Sequence, residues 1–303
     1  MDFDAWKNVG SYTLYREHEI CYWYDGKDDE EHIVLIHGFP TASWDWHKVW
    51  PELRKKYALF AMDMIGFGRS AKPKNYDYKI ADQATLHEEV LQAQGISEIH
   101  ILAHDYGDTV TQELLARFLE RQQSGEKGII IKSICFLNGG LFPETHRPRP
   151  IQKLLISPIG RFISSLLDKE KLEINLKNIF GPDTQPTPRE IDQFFELIEF
   201  NGGRMIMYKL IRYMSERKNF RERWVGALQD PMVPIRVING AMDPVSGDHM
   251  VKRYCELVND PDIVSLENIG HYPQMEAPEL VLQHYMPFVE RNSNQFKSEV
   301  EIN

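Results

Sequence analysis

Apolar residues in the first 140 positions come in short, dense runs separated by stretches of helical spacing. His32–His37 (HIVLIH) is a compact β-branched run that stops at Gly38, which predicts a buried strand. Tyr57–Asp63 (YALFAMD) predicts a second strand, closed by the turn signal Gly66-Phe67-Gly68. His100–Ala103 (HILA) predicts a third, Ile129–Leu137 a fourth, Ile235–Asn239 (IRVIN) a fifth, and residues around Val264–Leu266 one more. Between them the spacing predicts helices over 80–94, from about Thr109 to Glu120, and from Leu280 to Val289. Strands alternating with helices predict an α/β chain of βαβ units with a mostly parallel sheet.

From Leu141 to about Pro231 the pattern changes. Pairs such as Leu154-Leu155, Phe162-Ile163, Leu166-Leu167, Phe194-Phe195 and Leu197-Ile198 repeat at helical spacing, and no strand-like run interrupts them. Prolines at 143, 148, 150, 158, 182, 186 and 188 cut the segment into short helices. The expectation is a helical cap, residues 141–230, inserted between two sheet strands. The core is then discontinuous, built from 1–140 and 231–303.

Composition narrows the partners. Thirty-five basic residues against 45 acidic ones leave a net charge of −10, which disfavours nucleic acid and anionic membranes as partners. Cys21, Cys135 and Cys255 are odd in number and without metal-site spacing, so neither a disulfide framework nor a metal centre is expected, and no cofactor motif is present. No apolar stretch approaches the ~18 residues of a membrane span.

Four turns at the carboxyl ends of predicted strands carry candidate chemistry. Ala103-His104-Asp105-Tyr106-Gly107 joins a strand to a helix with small residues on both sides of Asp105, the shape of a nucleophile elbow. His37-Gly38-Phe39-Pro40 follows the first strand, Gly240-Ala241-Met242-Asp243-Pro244-Val245 follows IRVIN, and Gly270-His271-Tyr272-Pro273 follows the last. Each alone has an ordinary explanation: a capping Asp, a Gly-Pro turn, a turn-forming Asp, a surface His. Together, in the chain order nucleophile, acid, histidine, they predict a triad of Asp105, Asp243 and His271. Asp63 and His104, also at strand ends, are read as turn capping and loop packing.

HGFP, DMIGFGRS, AHDYGD, GAMDPV and GHYPQMEAP resemble the epoxide-hydrolase and haloalkane-dehalogenase branch of the α/β hydrolases. The resemblance runs from about Trp6 to Phe288 and includes the cap stretches NGGLFPETHRPRPIQKLL and RKNFRERWVGAL. It implies an α/β-hydrolase fold with a central sheet of about eight strands. It also implies that the amides of Phe39 and Tyr106 form an oxyanion hole, and that the partners are a small apolar organic substrate and water. Vertebrate members with this cap begin with an apolar anchoring segment. MDFDAWKNVG has no such segment, so a cytoplasmic location is expected.

An aspartate nucleophile sets the reaction class. Attack on an acyl carbon would give a reactive anhydride that reverts, whereas attack on an sp³ carbon bearing an epoxide oxygen or a halide gives a stable alkyl ester. His271, oriented by Asp243, then activates water against that ester. The resemblance leaves two leaving groups open. Dehalogenases of this branch hold halide with an indole N–H next to the nucleophile, and often with an Asn; here Tyr106 and Phe39 occupy those positions, which favours epoxides, while Trp224 keeps the halide reading open. Tyr208 and Tyr213 are candidates for protonating an epoxide oxygen, and Trp44 joins them and Trp224 as candidate pocket lining. A protein of this fold that binds ligand without turnover is the alternative from outside enzymology.

Overall fold

The computed structural model describes residues 2–27 and 30–302, with side chains to 294. Eight strands among them form one sheet: β1 (Ser11–Tyr15), β2 (His18–Asp25), β3 (His32–Ile36), β4 (Ala58–Met62), β5 (Glu98–His104), β6 (Ile130–Leu137), β7 (Ile235–Gly240) and β8 (Asp262–Leu266). Their spatial order is β1-β2-β4-β3-β5-β6-β7-β8. β2 runs antiparallel to both of its neighbours and every other adjacent pair is parallel.

Helices α1 (Phe3–Val9), α2 (Trp50–Leu53), α3 (Ile80–Ala93) and α4 (Tyr106–Ser124) precede the end of β6. Between β6 and β7 come α5 (Pro150–Ile156), α6 (Gly160–Leu166), α7 (Lys169–Lys177), α8 (Pro188–Glu199), α9 (Met207–Leu210), α10 (Tyr213–Asn219) and α11 (Arg221–Gln229). After β7 follow α12 (Asp248–Leu257), α13 (Pro273–Glu276) and α14 (Pro278–Ile302). Pro150 and Pro188 each stand in the first turn of a helix, where the missing N–H costs nothing.

Period-two alternation sends strand side chains to two faces, and both are buried. Val34, Ile36, Phe60, Met62, Ile101 and Ala103 join the cluster under α3 and α4. Ile33, Leu35, Leu59, Ala61 and Leu102 join the one under α1, α2 and α14. Each of these side chains apart from the two alanines contributes about 1.5–3 kcal/mol when fully buried. A sheet covered on both faces leaves the carboxyl ends of its parallel strands as the place where loops, and therefore chemistry, gather.

Three N-terminal elements go beyond what the hydrophobic pattern predicts. These are α1, β1 and β2; β1 is the outermost strand and exposes Tyr12 and Leu14, so burial does not follow a clean alternation there. The β1–β2 turn also hides itself. Arg16 and Glu17 adopt φ of 46° and 68° without the Gly or Asn that normally marks such a turn.

Candidate active site

Asp105 leaves β5 and enters α4 with φ 48° and ψ −102°. A non-glycine residue held there stores about 1–3 kcal/mol of strain. The strain is locked in by packing: a Cβ on Gly107 would stand 2.3 Å from the Ile36 carbonyl oxygen, so only glycine lets α4 sit this close to β3. Asp105 thereby crowns the N-terminus of a 19-residue helix, where the macrodipole favours negative charge.

The Phe39 amide donates to Asp105 Oδ2 at 3.2 Å. The Tyr106 amide is the first of α4 and has no acceptor within its own helix. From the insertion, buried Arg217 reaches down to the elbow. Its Nη2 donates to the Asp105 carbonyl at 3.1 Å and lies 3.9 Å from Oδ1, and its Nε donates to Thr109 Oγ1 at 2.7 Å.

His271 Nδ1 lies 2.8 Å from Asp243 Oδ2. Asp243 is enclosed by donors: the Val245 amide at 2.7 Å on Oδ1, and the Ser246 hydroxyl at 2.8 Å and amide at 3.1 Å on Oδ2, joined by Asn138 Nδ2 at 3.1 Å. Burial alone would push this carboxyl up, but His271 and these donors outweigh it and hold it down at about 2. Burial likewise pulls His271 down, and the Asp243 charge and hydrogen bond, followed by the Asp105 charge, overcome it and raise the imidazole to about 9. The loop carrying His271 is fixed by Glu276, whose carboxylate accepts from the amides of Gly270 at 2.8 Å, Tyr272 at 2.8 Å and Gly181 at 2.7 Å. His271's own amide donates to the Ile179 carbonyl at 2.8 Å. His104 Nε2 stands 2.8 Å from the His271 carbonyl. Burial and the neighbouring His271 take His104 down to about 3, so it is neutral and donates its Nε2 proton there.

Asp105, His271 and Phe39 line one cavity of about 90 Å³. The rest of its wall is mostly aliphatic: Ile151 and Leu155 from α5, Leu167, Leu172, Leu176 and Ile179 around α7, Ile198 and Met207, with Phe195 the other aromatic. Gln152, Asn175, Arg149, Asp168 and Arg204 supply its polar edges. Among the described residues no cluster of three or more His, Cys, Asp or Glu side chains is placed to hold a metal ion.

The aromatic lining expected from the sequence needs correction. Trp44 packs against Phe3 and stacks on His47 at 3.9 Å, with its indole N–H donating to Gln193 Oε1. Trp224 donates to Glu113 Oε2 at 2.8 Å and packs on α4. Tyr208 is half-buried, with the Arg212 guanidinium 6.0 Å from its ring centre. None of the three is among the residues that line the cavity, because each packs into a contact elsewhere. Tyr106 and Tyr213 do not line it either. Their rings pack on each other at 4.8 Å, and the Tyr213 ring lies 6.2 Å from Phe39. The Tyr213 hydroxyl is buried beside the Asp105 side chain, and burial, then the charge of Asp105, raise its pKa far above the ordinary phenol value.

Sequence reasoning missed Arg217, Asn138 and Glu276. Arg217 sits in a run of charges, SERKNFRER, with nothing to single it out. Asn138 had a signal, its place at the end of β6 before two glycines, and so did Glu276 inside GHYPQMEAP.

A family model described as the alpha/beta hydrolase fold matches residues 31–278. The chain is 38% identical over 297 residues to the mesoderm-specific transcript protein of Mus musculus, covering 94% of this chain and 87% of that one. It is 22% identical to Lipase 1 of Psychrobacter immobilis, over 92% and 83% of the two chains. Among solved structures, a loop variant of a haloalkane dehalogenase from Bradyrhizobium elkanii superposes with a TM-score of 0.79 at 18% identity, covering 96% of this chain and 99% of that one.

Proposed function

The chain belongs to the alpha/beta hydrolase fold family, and within it we propose an aspartate-nucleophile hydrolase that opens epoxides through a covalent alkyl ester on Asp105. The observation that carries this reading is the Phe39 amide on Asp105 Oδ2. In a two-step displacement Oδ1 attacks the sp³ carbon and Oδ2 becomes the carbonyl oxygen of the ester. Water then adds to that carbonyl carbon and Oδ2 turns into the oxyanion, with its donor already in place and the Tyr106 amide beside it. The Asp105 side chain makes no capping hydrogen bond to α4, so its carboxylate is free for this role.

His271 serves as the base of the second step, aimed by Asp243. While Asp105 is charged, His271 is held protonated. Once Asp105 is esterified that charge is gone, and the imidazole moves toward the neutral form that abstracts a proton from water. Two observations favour epoxide over halide. Although its ring is not part of the cavity wall, the Tyr213 hydroxyl lies beside the Asp105 carboxylate and keeps its proton, as a donor to an epoxide oxygen opening at Asp105 must. The indole N–H groups of Trp44 and Trp224 are committed to Gln193 and Glu113, so neither serves a halide. The mostly aliphatic wall suits an apolar substrate, and the segment 141–230 acts as the cap that closes over it.

The test separates the steps. His271→Gln should still be alkylated but fail to hydrolyse the ester, so intact mass after mixing with a turned-over epoxide gains one substrate equivalent, mapped by digestion to Asp105. No adduct in any variant would mean that Asp105 activates water instead, and an adduct on a hydroxyl residue would mean an esterase.

A further inference from the structure

We infer that the chain holds a second ligand site, a pocket for a phosphate-type oxyanion lined by Arg217 and His146 and separate from the cavity that Asp105 lines. α5 divides it from the substrate cavity: Ile151, Gln152 and Leu155 face the first, Lys153 and Ile156 the second. The second cavity measures about 220 Å³, far above the ~15 Å³ that one water requires. Lys153 and Lys218 stand exposed at its mouth, Arg217 and His146 lie at its floor, and Ser215 adds a hydroxyl. None of its lining residues is acidic, although the whole chain carries −10. The nearest acids in sequence are engaged elsewhere, Glu144 with Arg221 and Arg253, and Glu216 with the Ile80 amide, while the acids that act on Arg217 itself are Asp105, 3.9 Å away, and Asp108.

Arg217 is 2% exposed, and its Nε and Nη2 are spent on Thr109 and Asp105. Nη1 has no partner among the described residues, and neither ring nitrogen of His146 has one. Orphaned buried donors are costly, the more so on a charged group. A Cβ on Gly140 would stand 2.3 Å from Arg217 Nη1 and 3.1 Å from His146 Nδ1, so the bare Cα keeps both nitrogens free of a side chain. Burial, then the Arg217 charge, takes His146 down to about 3, so it is neutral, with one N–H and one lone pair. A carboxylate answers only the donors. Hydrogen phosphate, free or as a monoester, accepts from Arg217, the lysines and the His146 N–H, and gives its own O–H to the remaining nitrogen.

Calorimetric titration of the full chain at fixed ionic strength tests this, with sodium phosphate, glycerol phosphate and sodium acetate as probes and chloride as the control. Saturable one-to-one binding of phosphate is expected, tighter than acetate. It should weaken at least tenfold in the surface double variant Lys153→Ala/Lys218→Ala and at least as much in His146→Leu. Tighter binding of glycerol phosphate than of phosphate would identify a phosphorylated small molecule as the ligand, and the reverse order the free ion. No saturable heat beyond chloride, acetate binding as well as phosphate, or an affinity unchanged in the lysine double variant would each overturn the site.

Discussion

For the proposed attack, the Asp105 carboxylate has to be held still with one oxygen left free, and its neighbours divide that task. Phe39 takes Oδ2, Arg217 takes the backbone carbonyl, and Oδ1 has the Arg217 charge 3.9 Å away without a hydrogen bond to it. The same charge balance governs His271. In the free protein its titration, followed by NMR of the imidazole, should centre near pH 9. In Asp105→Asn, which imitates the neutral ester, the midpoint should fall. An unmoved midpoint would remove the link between ester formation and base release. Tyr213→Phe should slow formation of the ester by about 10²-fold, the lower range for a positioned general acid, and leave its hydrolysis untouched. Single-turnover kinetics with the His271→Gln background as reference resolves the two rates.

At the scale of elements, the site depends on how closely α4 approaches β3 and on how the histidine loop is tied down. Gly107→Ala forces a methyl into the Ile36 carbonyl and should cost about 1–3 kcal/mol of stability by urea unfolding. Glu276→Ala orphans three backbone amides, which should lower stability by about 3 kcal/mol or more and turnover with it. Much of this architecture was legible from the chain. β3 and β4 read as apolar runs because both their faces are covered, and the Asp105 elbow announced itself through Ala103 and Gly107. β1 and β2 were not legible, since an edge hairpin turning through Arg16-Glu17 carries neither a buried stripe nor a turn residue. The pocket lining was misread for a related reason. Residue type singles out aromatics, but the direction in which a side chain points depends on packing that spacing alone does not fix, and Trp44 and Trp224 are buried against Gln193 and Glu113 instead of facing the cavity.

For the whole molecule, the buried Asp243–His271 pair couples stability to pH from both sides. His271 is raised from an unfolded value near 6.5 to about 9, so its contribution is complete below about 6.5 and is lost as pH rises through 9. Asp243 is lowered from about 3.9 to about 2, so its contribution is complete above about 3.9 and is lost as pH falls through 2. Melting temperature should therefore decline between pH 7 and 9 in the wild type and more shallowly in His271→Gln. The long insertion that brings Arg217 to the elbow also grips the histidine loop, through the Ile179 carbonyl on the His271 amide and the Gly181 amide on Glu276. Any excursion that lifts this part of the insertion exposes the His271 amide to solvent, so that single proton is a clock. Its exchange with deuterium should report how often this segment lifts, slow when the cavity is filled, and quicken in Glu276→Ala.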